Sequence, residues 1–459
     1  MPAQRDPELE SAARLGQHPH ERTLESALTR RDWLLVGIAA GLGLCLRVWL
    51  GSGELWLDEI WSADFARGLE HWWQVFTLRH DNNHPLNTLM LRLLGPQEHA
   101  LVQRALPIAA GTLTIVLGAV WSARTASRAA AAPAAALLAA SPLLAYYSSE
   151  ARGYGLALCM AFAAALALES SARTRGLWLG LWTVLGLLSH FSFVFVLAAL
   201  GVRELWLRRS VLVFLFPLAA SLAWYGLFAS RMNVGGGDAW SFATLGRDAA
   251  ALLLGLEGPI GVGALALLLA LLAWSLRSRR ADAALLAMLL LFAPLLTFYV
   301  LDPAFVALRY FLLPLAFLPA LAGGALAARG RLGAALTLLL VLANLVQDFH
   351  LARSGRGEYR AAIRWMLEHS PAEQPSVTSD IAFDTRKTLA YHAQFQSGRG
   401  LRWVEPAQVG PQGVDWIVIA SNALPPEEFA DRGTRYRRST SFEAQGPSAY
   451  RWVLYQRVR

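Results

Sequence analysis

Long apolar runs dominate the chain, and short polar breaks separate them. The first run extends from Trp33 to Leu50. Others cover Pro107 to Ala123, Ala129 to Tyr146, Tyr154 to Leu168, Leu177 to Ser189, Phe191 to Leu207 and Val211 to Ser230. The remainder cover Pro259 to Leu276, Ala281 to Val300, Tyr310 to Ala327 and Leu332 to Phe349. A helix needs about 20 apolar residues to cross a bilayer comfortably, and these segments approach or reach that length. The pattern predicts a mainly α, polytopic helical membrane protein of about eleven spans.

The polar breaks alternate in kind. Arg124 to Arg128, Arg173 to Arg175, Arg208-Arg209, Arg277 to Arg280 and Arg329 to Arg331 fall on one side and all contain arginine. The positive-inside rule makes that side cytoplasmic. The N-terminus is then cytoplasmic, and everything after Phe349 is extracytoplasmic. Residues 1–32 read as a cytoplasmic tail, 33–350 as a transmembrane domain and 351–459 as a small extracytoplasmic α/β domain. In that last part Glu358 to His369 reads as a helix, Pro371 to Pro375 as a loop, and Asp415 to Ala420 and Ala449 to Val458 as strands.

Composition agrees with the pattern: 55% of residues are hydrophobic and 16% charged, where soluble domains carry about 25%. The net charge of +8 sits in the cytoplasmic breaks, so it reports topology and no nucleic-acid partner is implied. Cys45 and Cys159 both lie in apolar segments, which argues against a disulfide framework. Residues 1–32 are polar and show no cleavable signal pattern. The ten histidines form no HExxH or comparable metal cluster.

The loop over residues 51–106 is too long for a turn. Leu69 to Leu78 and Pro85 to Leu94 space their apolar residues as amphipathic helices lying in the membrane interface do. Asp58 and Glu59 stand just outside the first span, flanked by Trp56 and Trp61. They are either interface anchors or, for one carboxylate, a general base. Downstream lies Asp81-Asn82-Asn83-His84-Pro85-Leu86. It reads as a capped helix start or as a phosphate site. Two more elements share that side. One is Ser148-Ser149-Glu150-Ala151-Arg152-Gly153-Tyr154; the other runs from Asp302-Pro303 to Arg309-Tyr310. Their outward arginines suit phosphate recognition.

The order of these elements carries a resemblance. An Asp-Glu in the first loop, a His-Pro-Leu segment, a Ser-Glu-Ala-Arg-x-Tyr element and a late Arg-Tyr resemble the C-type membrane glycosyltransferases. Within them the chain looks most like family 39, which includes protein mannosyltransferases and the lipid A aminoarabinose transferase. The resemblance covers Trp33 to Phe349. It implies inverting transfer from a polyprenyl-phosphate sugar donor to a lipid, glycan or protein acceptor, with no cofactor and no required metal. Asp58 matches the catalytic carboxylate and Glu59 its neighbour. His84 matches a position near the donor phosphate, with Pro85-Leu86 where two prolines are common. Asp81, Asn83, Glu150, Arg152, Tyr154, Arg309 and Tyr310 are the further donor-binding candidates. The implied location is a bacterial plasma (inner) membrane. Competing readings are a lipid or solute transporter or flippase, with ionisable groups at mid-membrane, and a non-catalytic membrane assembly protein.

Overall fold

Each of the eleven apolar segments is helical in the computed structural model, which describes residues 28–458 except 171, 234–240, 302–305, 397, 422–424, 445 and 447–450. The first half contains α1 (Arg30–Leu50), α2 (Leu57–Gly68), α3 (Pro85–Leu94), α4 (Ala100–Thr125), α5 (Ala131–Ala140), α6 (Pro142–Ser148), α7 (Tyr154–Leu168), α8 (Ala172–Ser189) and α9 (Phe193–Trp206). Then follow α10 (Leu215–Leu227), α11 (Phe242–Leu254), α12 (Gly258–Leu276), α13 (Arg280–Ala287), α14 (Ala293–Leu296), α15 (Leu312–Ala327) and α16 (Gly330–Ser354). The C-terminal part holds α17 (Tyr359–Glu368), α18 (Ala382–Ala393) and six strands.

Among the described residues, seven helices are long and apolar enough to cross a membrane singly. Another span is split: the helix through α5 and α6 bends by 60°, because Pro142 cannot donate the backbone bond that would continue it. Helices α7, α8 and α9 have only 15, 18 and 14 residues. The eleven apolar segments therefore yield fewer full-length spans, since some of them form short helices, of which α7 is almost wholly buried in the bundle interior.

Burial separates an inner layer from an outer one. The helix Leu308–Ala327 has 83% of its apolar window buried, against 22% for Gly258–Leu276 and 11% for Leu212–Arg231. Trp121 on α4 packs edge-on against Phe317 on α15 at 5.3 Å, and Phe317 stacks on Phe162 of α7 at 4.6 Å. On the periphery Leu215, Leu222, Leu267, Trp274 and Leu339 are exposed. An apolar surface of that extent has only lipid as a matching solvent. The chain is an integral membrane protein.

The loop 51–106 holds two helices. α3 forms where expected. Leu69 to Leu78 contributes only the short 3₁₀ turn Trp72–Thr77, and the loop's other helix, α2, lies upstream. Trp72 and Trp73 are exposed, as interfacial anchors are.

Beyond α16 the sheet runs β2-β1-β3-β6-β5-β4, with β1 (Ser376–Ser379), β2 (Arg402–Trp403), β3 (Trp416–Ala420), β4 (Glu428–Asp431), β5 (Thr434–Phe442) and β6 (Trp452–Arg457). β1 pairs in parallel with β2 and β3, and the remaining pairs are antiparallel. One face packs on α17 and α18 through Ile363, Met366, Leu389, Trp416 and Leu454. α18 also sits on the first loop, where Tyr391 joins Leu55, Ile60, Ala63 and Ala151. His392 Nε2 donates to Leu55 O at 2.9 Å, and Arg360 pairs with Glu98 at 2.9 Å. The α/β part thus caps one end of the bundle directly over α2.

Candidate active site

Asp58 and Glu59 are the second and third residues of α2. Successive helical residues point about 100° apart, so the two carboxylates enter different surroundings. Glu59 is fully buried. Arg104 on α4 grips it with Nε at 2.7 Å and Nη2 at 2.5 Å. The backbone N–H groups of Ala151 and Trp56 donate to it at 2.7 and 3.3 Å. Burial alone would raise its pKa; the Arg104 guanidinium outweighs this and holds it below the usual carboxylate range.

Asp58 faces a different group. Asn82 Nδ2 donates to Oδ1 at 3.1 Å. Arg152 Nη1 lies 2.9 Å from Oδ2, and Arg309 Nη2 lies 3.6 Å from the same oxygen. Asn82 bridges the pair, since its Oδ1 accepts from Arg152 Nη2 at 2.5 Å. Among the described residues neither Asp58 Oδ2 nor Arg152 Nη1 makes an aligned hydrogen bond, and Arg152 Nε makes none. Trp56 closes one side with its ring 5.7 Å from the Arg152 guanidinium and 6.0 Å from that of Arg309. The side chains of Arg309 and Asp58 keep 14% and 11% exposure, whereas Arg152 has 3%. Access is therefore from the Asp58–Arg309 side.

Arg152 is aimed by the break between α6 and α7. That segment is buried, so its polar groups need partners, and side chains from four elements supply them. Arg47 of α1 donates to Ser148 Oγ at 2.8 Å. Glu59 takes the Ala151 N–H, and Asn87 of α3 donates to Ala151 O at 2.8 Å. Arg356, between α16 and α17, donates to Tyr146 O at 2.7 Å and Ser149 Oγ at 2.8 Å. Its Nη1 lies 3.1 Å from Glu150 Oε1. Burial pushes Glu150 up to about 7, against the pull of Arg356 and then Arg152.

Behind Arg152 lie three packed rings. His190 stacks on His84 at 5.1 Å and lies tilted against Tyr154 at 4.8 Å, and the Arg152 guanidinium lies 4.8 Å from the Tyr154 ring. Burial first, then the Arg152 charge, depresses both histidines; His190 falls to about 3. The His84 ring bonds the Ser189 backbone, and its Nε2 has no partner among the described residues.

The remaining candidates divide. Asp81 pairs with His80 at 2.9 Å, beside the cluster. Tyr310 is half-buried next to Arg309. Asn83 turns away, donating to Val75 O and Leu78 O at 2.7 and 3.2 Å, and its neighbour Asn82 reaches Asp58 instead. Neither asparagine caps α3, whose N-cap is His84 with Pro85 in the first turn. Asp302-Pro303 lies outside the described residues. Sequence reasoning passed over Asn82, Arg104, His190 and Arg356. The signals were present: Asn82 and the Ser189-His190 turn fall in loops of the expected side, and Arg356 sits in an unusual Gly-Arg-Gly. Among the described residues no group of three or more His, Cys, Asp or Glu could hold a metal ion.

The fold of this capped helical bundle is shared with a solved structure. ArnT from Cupriavidus metallidurans in the apo state is similar in structure, with a TM-score of 0.52 at 14% identity, over 84% of this chain and 92% of that one. The undecaprenyl phosphate-bound form of the same ArnT gives 0.49 at 14% identity, over 93% and 98%. The arabinofuranosyltransferase AftD from Mycobacteria gives 0.47 at 15% identity, over 94% of this chain; the chain spans 40% of AftD's length. No protein-family model matches the sequence, and no curated protein matches it.

Proposed function

We propose that the protein transfers a sugar from a polyprenyl-phosphate-linked donor to an acceptor, with inversion, on the extracytoplasmic face of a bacterial inner membrane. One observation carries this reading: a single carboxylate oxygen of Asp58 faces two arginines, Arg152 and Arg309, and all three side chains are largely buried. A donor phosphate competes with Asp58 for both guanidinium groups, which form charge-assisted contacts with either anion. Once they turn to the phosphate, Asp58 Oδ2 is released to act as a base.

The acceptor's O–H or N–H proton then passes to Asp58. The nucleophile's electron pair attacks the anomeric carbon from the face opposite the phosphate, and the C1–O bond breaks with its pair retained by the phosphate. Arg152 and Arg309 stabilise the charge that develops there. The neutral His84 donates to Ser189, so its Nε2 offers a lone pair. It suits a sugar hydroxyl of the donor better than the phosphate expected beside it. Glu59, with every acceptor site engaged, braces Arg152 through Ala151 and takes no proton. A transporter reading calls for ionisable groups at mid-span. Here Arg47 and Asp348 lie near the capped ends of α1 and α16, and Arg203 and Asp282 near the opposite end.

The test is transfer by purified protein in detergent, supplied with undecaprenyl-phosphate-linked pentose and hexose donors and membrane extract as acceptor source. Wild-type labelling that Asp58→Asn abolishes supports the reading. Equal labelling by Asp58→Asn removes Asp58 as the base.

A further inference from the structure

The linker between α16 and α17 is Gly355-Arg356-Gly357-Glu358, and its two glycines have φ of +68° and +123°. These are backbone states that side-chain-bearing residues rarely adopt. They turn the chain so that Arg356 plunges into the bundle, where it is 2% exposed. There it meets Leu50 O at 2.9 Å, Tyr146 O, Ser149 Oγ and Glu150, with its guanidinium 4.0 Å from the Tyr146 ring centroid. Its donors are engaged by protein, so it has no hand free for substrate.

Its pairing with Glu150 is another matter. Arg356 Nη1 lies 3.1 Å from Oε1 of that carboxylate, and Arg152 Nη1 lies 3.8 Å from its Oε2, so the two arginines share one acid.

We infer that Arg356 is a positioning residue: by pairing with Glu150 from the domain linker it keeps Arg152 available to the donor phosphate. This rests on the polyprenyl-phosphate reading above. Without Arg356, ionised Glu150 turns to Arg152, whose Nη1 is already 3.8 Å away. Protonating Glu150 reverses this. The groups facing Glu150 are Asp58 and Glu59 on α2, Arg152, Tyr147 and Tyr154 around its own segment, and Arg356 on the linker.

The experiment measures undecaprenyl phosphate binding to the full-length protein in detergent between about pH 7.5 and 9.5, where the probe's phosphate, with its second pKa near 6, stays dianionic. Wild type should hold a nearly constant affinity. Arg356→Gln should lose roughly tenfold or more as pH rises, on the scale of one unit charge acting across a partly buried site. Arg356→Lys should recover part of the loss. Arg356→Gln with Glu150→Gln, which removes both members of the pair, should be flat with pH. Glu150→Gln alone should bind tighter than wild type, and it keeps the test alive if Arg356→Gln fails to fold. A pH curve for Arg356→Gln parallel to wild type, or a double variant that falls as steeply as the single one, overturns the role of Arg356. Absence of wild-type binding at every pH overturns the donor reading instead.

Discussion

Glu59 and Asp58 are neighbours in sequence and opposites in environment. Both are buried carboxylates on the first turn of α2, each beside arginine. Around Glu59 every acceptor site is filled with aligned donors from Arg104, Ala151 and Trp56. Around Asp58 one aligned bond comes from Asn82, and two arginines stand close without aligned hydrogen bonds to its Oδ2. A saturated buried charge is part of the frame, because nothing it could gain exceeds what it already has. An unsaturated one has a reason to exchange partners, and its cost is tolerated only where the surroundings hold it in place. Adjacent carboxylates can therefore be told apart by counting donors.

The sharpest way to break this comparison is to neutralise each in turn. Asp58→Asn keeps the shape and the Asn82 contact, so the melting temperature should stay within a few degrees. Transfer should fall by about 10²–10⁴-fold, the usual contribution of a positioned general base. Glu59→Gln should show the reverse. It leaves the Arg104 guanidinium buried without its counter-charge, which costs about 3–5 kcal/mol of stability, read as a lowered melting temperature in detergent. Transfer per folded molecule should be largely kept. A Glu59→Gln protein that is stable but inactive would assign Glu59 to the chemistry.

Asn82 tests the boundary between the two environments. It holds Asp58 with its amide and Arg152 with its carbonyl. Asn82→Ala should lower the turnover rate by about tenfold, one charge-assisted hydrogen bond's worth at roughly 1.5 kcal/mol. Asn83→Ala, which loosens carbonyls of the 75–78 turn, should lower stability and leave the rate of folded protein near normal. Equal rate losses in the two variants would erase the distinction.

The same contrast explains what could be read before any coordinates. The eleven apolar segments and their helices were legible because burial in lipid writes itself into composition. Asp58, Arg152 and Arg309 were legible as candidates because charge at a span mouth on the arginine-poor side is conspicuous. Glu59 was not separable from Asp58, since a 100° turn of helix leaves no mark on two adjacent letters. Asn82 and Asn83 posed the same problem one turn before a proline. Arg356 was hidden for a different reason: its partners, Leu50, Tyr146 and Glu150, lie some 200 to 300 residues away. β1, β4 and β5 were missed as well. β1 is four small residues, Ser-Val-Thr-Ser, and β4 and β5 are rich in charged residues on an exposed sheet, so none shows a clean two-residue apolar alternation.

The smallest effect concerns the histidines behind Arg152, which the site keeps neutral. His190 titrates near 6.5 when unfolded and is pushed to about 3 in the folded protein by burial, then by Arg152 and Arg309. Between those values the unfolded chain binds more protons than the folded one, so stability must fall as pH falls through that window. From pH 7 to 5 this one group accounts for at most ~2 kcal/mol. His84 and His392 act with the same sign, their values also depressed mainly by burial. His190→Gln should therefore make acid destabilisation shallower without abolishing it, measured as melting temperature at pH 7, 6 and 5. An unchanged slope would mean that His190 is already protonated in the folded state. That would place a further positive charge 4.8 Å from the Tyr154 ring beside Arg152, and the neutral lone pair assigned to the stacked His84 would have to be reconsidered with it.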